Sequence, residues 1–271
     1  MNSKPVMAAG GFDDIRSRDL RLLEEAAKLG PLTVWLWPDE VLRRLTGRPP
    51  KFPEAERLYF LKAVRYVHRV ILAGGAMRPD ELPAGRQARV WADVQESANR
   101  AREEFCRKRH ITHHVFHAEQ LQGFPEPPPK PSEPERKKVI VTGCFDWLHS
   151  GHVRFLEEVS HYGDLYVVVG NDANIRSLKG EGHPLLPQQE RRYMAGSIRF
   201  VKQALIASGR GWLDAEPEIQ RLKPDIYAVN EDGDAGGKRE YCGDHGIKYL
   251  VLKRAPAPGL PARTSTELRG F

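Results

Sequence analysis

The sequence predicts an α/β protein with two doubly wound parallel sheets, one in each half, on three observations. Apolar runs such as residues 165–169 and 226–229 alternate with longer segments of helical periodicity such as residues 190–200, which is typical of strands joined by crossover helices. A proline-rich stretch divides the chain into two nearly equal halves. The two halves also resemble each other in sequence. We therefore expect two tandem Rossmann-like domains.

The domain boundary follows from the proline-rich stretch between Gly123 and Pro134. Prolines this frequent allow neither a helix nor a central strand to continue, and they favour an extended, stiff connection. We expect a first domain at residues 1–122, a linker at residues 123–136 and a second domain at residues 137–271.

The internal repeat runs through most of both halves. Residues 10–15 align with residues 143–148, and residues 21–25 align with residues 154–158. The register continues with small shifts through the pairs Gly30 and Gly163, Val34 and Val167, Asp39 and Asp172, Arg57 and Arg191, and Cys106 and Cys242. So long a register predicts a duplicated α/β unit. An arginine shared by both copies favours a structural role, such as an ion pair.

The second half is organised around residues 143–152, Gly-Cys-Phe-Asp-Trp-Leu-His-Ser-Gly-His. An apolar run precedes this stretch, and apolar residues at helical spacing follow it, so it is predicted to be a tight turn between a strand and a helix. Free N–H groups at a helix start favour anions, and glycines let backbone approach a ligand. His149 and His152 add donors suited to a phosphate. The alternative is that two polar residues merely lie near a helix start.

This stretch resembles the Gly-Thr-Phe-Asp-x-x-His-x-Gly-His signature of the HxGH nucleotidyltransferase superfamily, in its cytidylyltransferase-like branch, with Cys144 in place of threonine. The resemblance implies that His149, His152 and Lys179 are catalytic. It also implies an acceptor contact from Asp146. Asp172, just past a buried strand, could bind a hydroxyl-bearing substrate, with capping of the next helix as the alternative. The implied nucleotide-binding residues are Gly143, Cys144, Phe145, Gly151, Arg263, Thr264, Ser265 and Thr266.

The end of the chain, residues 262–269, predicts a second helix start. Thr264 or Ser265 is expected to be the N-cap, with Glu267 placed for a capping box. Capping is a complete structural explanation, but hydroxyls and free N–H groups beside Arg263 also suit a phosphate.

The first half has lost the residues that carry this chemistry. Arg16, Arg18 and Asp19 stand where the second half has His149, Gly151 and His152, and Thr46 stands where it has Lys179. A carboxylate at position 19 opposes an incoming phosphate. We therefore expect the first half to catalyse nothing. An open alternative is that this silent half packs against the second half and completes its site, or mediates a homodimer.

A histidine-rich segment in the first half could bind a metal if it were helical, since His110, His113, His114 and His117 would then share a face. The repeat instead aligns residues 111–116 with an apparent strand at residues 247–252. A strand sends adjacent side chains to opposite faces, which predicts no metal site here.

Composition limits the partners. The chain has a net charge of +6, which suits anionic ligands. The basic residues are scattered along the chain, which favours nucleotides over nucleic acids as ligands. No apolar run is long enough to cross a membrane, and the N-terminal residues lack the apolar stretch of a secretion signal. Three cysteines without paired spacing are typical of free thiols. A cytoplasmic protein is expected.

The resulting hypothesis is transfer of CMP from CTP to a small phosphorylated alcohol, polyol or sugar, with release of pyrophosphate and with Mg²⁺ as cofactor. Adenylyl transfer from ATP to a sugar phosphate remains open. So does a nucleotide-binding regulator that catalyses nothing.

Overall fold

The computed structural model describes residues 4–74, 77–82, 88–131 and 135–269. The chain forms two compact units, Met1–Gly123 and Phe124–Phe271. Each unit contains a five-stranded parallel sheet joined by helices, which confirms the predicted α/β fold with two Rossmann-like domains.

The first residues of the proline-rich segment are bound to the second unit. Arg192 donates to the carbonyl of Phe124 at 2.9 Å and pairs with Glu126 at 3.1 Å. Pro127 packs so closely on Gly196 that an added Cβ there would lie 3.3 Å from its ring.

The first unit has the strand order β3-β2-β1-β4-β5, with every described pairing parallel. Its elements in chain order are β1 (Val6–Gly10), α1 (Ser17–Lys28), β2 (Leu32–Leu36), α2 (Asp39–Thr46), α3 (Glu54–Ala63), β3 (Arg69–Leu72), β4 (Val90–Val94), α4 (Arg100–Lys108) and β5 (Thr112–Phe116).

The second unit repeats that order as β8-β7-β6-β9-β10, again with parallel pairings. Its elements are β6 (Lys138–Gly143), α5 (Ser150–Ser160), β7 (Asp164–Val169), α6 (Asp172–Lys179), α7 (Gln188–Gly196), β8 (Val201–Ile206), α8 (Glu216–Leu222), β9 (Ile226–Asn230), α9 (Lys238–Asp244), β10 (Lys248–Leu252) and α10 (Ser265–Arg269).

Strand β6 is the centre of the second sheet and determines where a ligand can bind. It pairs with β7 on one side and with β9 on the other. The chain leaves β6 through α5 toward β7, whereas it leaves β9 through α9 toward β10. The strand order therefore reverses between β6 and β9, and in such sheets a crevice opens beyond the carboxyl ends of those two strands.

The core beneath this crevice is apolar and closely packed. Val139, Ile140 and Val141 of β6 are fully buried, and Ile140 belongs to a cluster with Tyr227, Ile219 and other buried side chains from α8, α9 and β9. Near the top of β6, the Thr142 hydroxyl and the Tyr227 hydroxyl share a hydrogen bond of 2.6 Å. The strand ends that carry the crevice are therefore held rigidly.

A buried arginine occupies the same position in both units. Arg191 is fully buried, and its guanidinium donates to the carbonyls of Cys144 and Gly170 at 2.7 Å and to the Asp172 carboxylate at 2.6 Å. Arg57 donates to the carbonyls of Gly11 and Trp37 and to the carboxylate of Asp39 in the same way. The shared arginine thus makes the predicted ion pair and ties together the strand ends.

Candidate active site

The turn after β6 has a backbone that the sequence explains. Phe145 adopts a φ of 51°, and its ring lies so close to Gly143 that an added Cβ there would approach it to 2.9 Å. Glycine is therefore required at position 143. The turn then delivers the chain into α5 with His149 as its N-cap.

His149 is both a helix cap and an oriented donor. Its Nδ1 accepts a hydrogen bond of 3.1 Å from the Gly151 amide, so Nδ1 is unprotonated and Nε2 carries the hydrogen. The side chain is buried, and its Nε2 has no hydrogen-bond partner within the described part of the chain. A buried donor without a partner is costly, so this N–H points to a missing acceptor.

His152 lies against His149, with the two ring centroids 4.1 Å apart and the planes inclined by 38°. Burial, then the charge of His152, lowers the pKa of His149 to about 2. Burial, then the charge of Arg254, lowers the pKa of His152 to about 4. Both imidazoles are therefore neutral near pH 7. The Nε2–H of His149 has no partner within the described structure and can be offered to an anion, whereas a hydrogen bond to the Trp147 backbone engages the N–H of His152 and acts to raise its pKa.

The two histidines face what we call the histidine cavity, which has a volume of about 160 Å³. It lies beyond the carboxyl ends of β6 and β9, where the strand order predicts a ligand crevice. Its lining comprises Thr142, Gly143, Cys144, Phe145, His149, Gly151, His152, Phe155, Val229, Asn230, Asp232, Gly233, Lys238 and Arg254.

A second cavity of about 230 Å³ adjoins the first, and we call it the arginine cavity. The two share Gly151, Phe155, Asn230 and Arg254. The arginine cavity adds Lys253 and Arg263, and it is completed by Glu158, Ala255, Pro256, Ala262 and Thr264. Together the two cavities form one cationic crevice that is long enough to be occupied by groups at two adjacent positions.

Arg254 lies where the two cavities meet. Its guanidinium is ion-paired with Asp232 and donates to the carbonyl of Arg263 at 3.0 Å. Lys238 lines the histidine cavity, and its ammonium donates to the Gly233 carbonyl at 2.8 Å. Sequence reasoning missed both cations. The available signal was position, because Arg254 lies two residues after the end of β10 at Leu252 and Lys238 lies eight residues after the end of β9 at Asn230.

Most of the residues expected at the nucleotide do meet in this crevice. Gly143, Cys144, Phe145, His149, Gly151 and His152 line the histidine cavity, and Arg263 and Thr264 line the arginine cavity. The hydroxyl of Ser265 donates to the Trp147 carbonyl at 3.4 Å, which links α10 to the histidine turn. The side chain of Thr266 lies outside the described part of the structure.

Lys179 ends α6 and is not part of the lining of either cavity. Its charge nevertheless helps to lower the pKa of His152. Its electrostatic influence thus reaches the site, although its side chain does not line it.

The two aspartates expected at the acceptor are engaged by the protein itself. The Asp146 carboxylate accepts from the amides of Leu185 and Leu186, at 2.8 and 3.0 Å, and fixes the segment before α7. Asp172 pairs with Arg191 and accepts from the Gln188 amide at 3.1 Å, in the first turn of α7. The next helix, α6, is capped by Asn171, whose side chain accepts from the Asn174 amide at 2.8 Å, so Asp172 does not have the capping role that was its alternative.

The predicted capping box at the end of the chain is present. The Glu267 amide donates to the Thr264 hydroxyl and the Thr264 amide donates to the Glu267 carboxylate, both at 3.1 Å. Thr264 is thus the N-cap of α10.

The histidine-rich segment forms strand β5, as the repeat predicts. His113 contacts Asp93 at 3.2 Å, and the His114 ring packs on Phe116. His117 contacts the side chain of Gln95, directly after β4, at 3.1 Å. Across the described residues no group of three or more histidine, cysteine or acidic side chains is arranged to hold a metal.

The corresponding turn of the first unit is closed by its own charges. The Asp19 carboxylate accepts from the Arg16 amide at 2.8 Å and completes a capping box at the start of α1, and burial raises its pKa. Arg18 is ion-paired with Glu96. In this turn of the first unit Asp19 and Arg18 have partners within the unit, whereas in the second unit the Nε2 of His149 has none among the described residues.

Comparison with known proteins supports the sequence resemblance. Residues 140–253 match the family described as cytidylyltransferase-like. An FAD synthase of Ferroglobus placidus is 36% identical over 120 residues, which are 43% of this chain and 75% of that protein. An FAD synthase of Methanocella paludicola is 31% identical over 135 residues, 49% of this chain and 93% of that protein. The bifunctional protein HldE of Campylobacter curvus is 33% identical over 119 residues, 44% of this chain but 24% of that protein.

Within the described residues, no helix combines the length and the apolar character that crossing a membrane requires. The family match, residues 140–253, lies within the second unit, where the histidine pair and its cationic crevice are found. Since two FAD synthases are matched over three quarters or more of their own length, the chain belongs to the cytidylyltransferase-like nucleotidyltransferases and is a nucleotidyltransferase.

Proposed function

We propose that the second unit transfers AMP from ATP to the phosphate group of a small acceptor and releases pyrophosphate. The observation that carries the transfer is the buried Nε2 of His149, unpartnered in the described structure, in a cavity that is also lined by two cations, Arg254 and Lys238. The FAD synthases among the relatives favour ATP, since forming FAD joins an adenylyl group to a flavin phosphate.

CTP remains the second candidate donor, as the sequence resemblance implies. The description of the matching family as cytidylyltransferase-like favours it. Choosing between the two bases is a matter for direct assay.

The transfer needs no nucleophilic side chain, because an acceptor phosphate is already ionised at neutral pH. One of its oxygens forms a bond to the α-phosphorus, the bond to the bridging oxygen breaks, and pyrophosphate leaves with that electron pair. The Nε2–H of His149, and the N–H of His152 once it turns from the Trp147 backbone to the substrate, follow the charge that develops on the α-phosphate and bridging oxygens. Arg254 and Arg263 hold the leaving pyrophosphate, and the crevice fixes the reactants in line.

Mg²⁺ is expected as part of the nucleotide substrate. The carboxylate that Asp232 adds to the lining is paired with Arg254, and the described residues offer no cluster that could hold the ion by themselves. Mg²⁺ is commonly bound through substrate phosphates and water. A contact between Lys179 and the triphosphate stays a prediction.

We further propose that the first unit is a second copy of the fold whose site was lost. Support comes from its identical strand order and its matching buried arginine, together with the Arg18–Glu96 ion pair and the hydrogen bond from the Arg16 amide to Asp19. A role in packing or in forming dimers is the alternative proposal for this unit.

Pyrophosphate release by the full chain tests the proposal. ATP and CTP are each supplied with Mg²⁺ and with FMN, glycerol 3-phosphate or a sugar 1-phosphate. We expect His152→Ala to lower turnover about a hundredfold or more, the loss typical of one transition-state donor. The matched control is Asp19→Ala, at the equivalent position of the first unit, which should leave turnover unchanged.

The proposal is wrong if no nucleotide yields pyrophosphate with any acceptor. It is also wrong if His152→Ala retains normal turnover while its circular dichroism matches that of the parent protein.

A further inference from the structure

The two units keep a cation at one position of the fold, Arg102 in the first and Lys238 in the second. Each lies in the first turn of the helix that follows the corresponding strand, α4 after β4 and α9 after β9. Each also lies four residues before the aligned buried cysteine, Cys106 or Cys242. The surroundings of the two cations can therefore be compared directly.

In the first unit this cation is neutralised by the protein. Arg102 is buried, and its guanidinium pairs with the Asp93 carboxylate at 2.6 Å and with the Asp80 carboxylate at 3.0 Å. Asp93 is itself buried within β4. A counter-ion of this kind is needed, because a charge buried without a partner is costly.

The second unit lacks the equivalent carboxylate. Val90 of β4 and Ile226 of β9 both pair with the central strand of their sheets. Three residues further along each strand, Asp93 in the first unit corresponds to Val229 in the second. Val229 lines the histidine cavity. An apolar side chain at the cavity wall thus stands where the first unit has the counter-ion.

Lys238 has a neutral partner instead. It is half-buried and lines the histidine cavity, and its ammonium donates to the Gly233 carbonyl at 2.8 Å. A carbonyl satisfies one of its three N–H groups but does not balance its charge.

The electrostatics of Lys238 agree with a cation that lacks a counter-ion. Burial is the largest effect on its pKa and lowers it, and the charges of Asp234 and Asp214 oppose this without reversing it. Those two carboxylates have other partners, since Asp234 is ion-paired with Arg239 and Asp214 accepts from Asn174 at 2.9 Å.

A second group in the same cavity also lacks its partner. The buried Nε2 of His149 has no acceptor within the described part of the chain. A phosphate carries negative charge and several acceptor oxygens, so one such group can satisfy both an ammonium and an N–H.

We propose that Lys238 binds a phosphate group of a reactant in the histidine cavity, so that this phosphate takes the place that Asp93 has beside Arg102 in the first unit. An ion pair inside one unit thus corresponds to an ion pair between protein and ligand in the other. This inference rests on the proposed nucleotidyl transfer and adds a substrate-binding residue to it. The phosphate belongs to the nucleotide or to the acceptor, and the experiment below distinguishes the two.

Amine labelling of the full chain tests the contact separately from catalysis. Acetic anhydride modifies unprotonated lysine amines, and mass spectrometry gives the rate at each lysine with Mg²⁺ and either ATP, CTP, FMN or glycerol 3-phosphate. We expect one class of reactant to slow labelling of Lys238 about tenfold or more, because a neighbouring anion raises an amine pKa by roughly one unit or more. Lys138 is the matched control. Its ammonium also donates to a backbone carbonyl, that of Leu222, but at the opposite end of β6, so its labelling should not change.

Steady-state kinetics assign the phosphate to a reactant. Lys238→Met should raise KM about tenfold for the reactant that protects the amine, the size expected for one hydrogen bond to a charged group. Lys238→Arg should retain most of the affinity, since the first unit has arginine at this position. Lys138→Met should leave both KM values unchanged.

The proposal is overturned if neither nucleotide nor acceptor protects Lys238, or if Lys238→Met keeps the KM of the parent protein for both. Pyrophosphate release with Lys238 unprotected would leave nucleotidyl transfer standing without this contact. Conversely, protection of Lys238 by a nucleotide or an acceptor without pyrophosphate release would contradict the transfer reaction and leave the phosphate contact standing.

Discussion

Replacing His149 by asparagine separates the two roles that this residue combines. Its Nδ1 caps α5 by accepting from the Gly151 amide at 3.1 Å, and its buried Nε2 is directed into the cavity without a partner in the described structure. Asparagine is among the best N-cap residues, so His149→Asn keeps an acceptor for the amide. It removes the Nε2–H that the phosphate needs.

The two effects have different sizes. Loss of one preorganised donor costs about 3 kcal/mol in the transition state, a factor of roughly a hundred or more in turnover. Loss of a helix cap costs about 1 kcal/mol of stability, which shifts the melting temperature by roughly 2–4 °C in a domain of this size. We expect His149→Asn to lose turnover with stability near that of the parent, and His149→Ala to lose both.

Steady-state pyrophosphate release and thermal unfolding, recorded on the same preparations, distinguish these outcomes. Near-normal turnover in His149→Asn would refute the reasoning, since the cap alone would then account for this histidine. So would equal melting temperatures for the alanine and asparagine variants, since the Gly151 bond would then contribute nothing.

Three further predictions concern charge. Because burial holds the pKa values of His149 and His152 near 2 and 4, below their ordinary 6.5, the unfolded chain takes up protons first as the pH falls. The stability that the neutral pair contributes is complete above about pH 6.5 and is lost below it, by about 1.4 kcal/mol per histidine per pH unit. Urea unfolding between pH 7 and 5 should therefore show a free energy of unfolding that falls with pH, and this dependence on pH should be weaker in the His149→Asn variant. Arg254→Ala should raise the pKa of His152, whose largest charge effect comes from Arg254, and should raise KM for the nucleotide about tenfold; NMR titration of the ring and steady-state kinetics check this, and an unchanged His152 pKa would contradict it. Arg191→Met should destabilise the second unit by about 3 kcal/mol or more, because it leaves the buried side of Asp172 and two carbonyls at strand ends without their donor; denaturant unfolding measures this, and a loss below 1 kcal/mol would be inconsistent with it.

Local patterns predicted the histidine turn and its surroundings. The run from β6 through the glycine turn into α5 is encoded by consecutive residues, as is the capping box of Thr264 and Glu267. The strand at Thr112–Phe116 was also predictable, because the repeat transfers the pattern of one half to the other. In each case the deciding residues are near neighbours in the chain or are aligned by the repeat.

Two cations of the crevice were not predictable in this way, although Arg263 was. Lys238 and Arg254 reach the cavity from the ends of β9 and β10, more than eighty residues after the histidine turn. Only the strand order brings those ends beside β6. Asp146 and Asp172 were predicted to contact a ligand, because carboxylates near a binding site commonly do. In the folded chain Asp146 instead accepts from a backbone amide and Asp172 from the guanidinium of Arg191, and the sequence alone does not place these donors.

Comparison of the two units separates framework from chemistry. Asp13 accepts from the amides of Lys51 and Phe52, as Asp146 accepts from those of Leu185 and Leu186. This carboxylate, like the buried arginine, is retained in the first unit, where the histidines are absent. Its role is therefore to stabilise the fold and does not depend on the histidines. The positions that differ are 149 and 152 against 16 and 19. There the second unit has two neutral imidazoles, whereas the first has an arginine paired with Asp14 and a carboxylate that accepts from a backbone amide. Substitution of the retained aspartate or arginine should therefore change the stability of either unit. Substitution at the differing positions should change turnover when it is made in the second unit and leave turnover unchanged when it is made in the first.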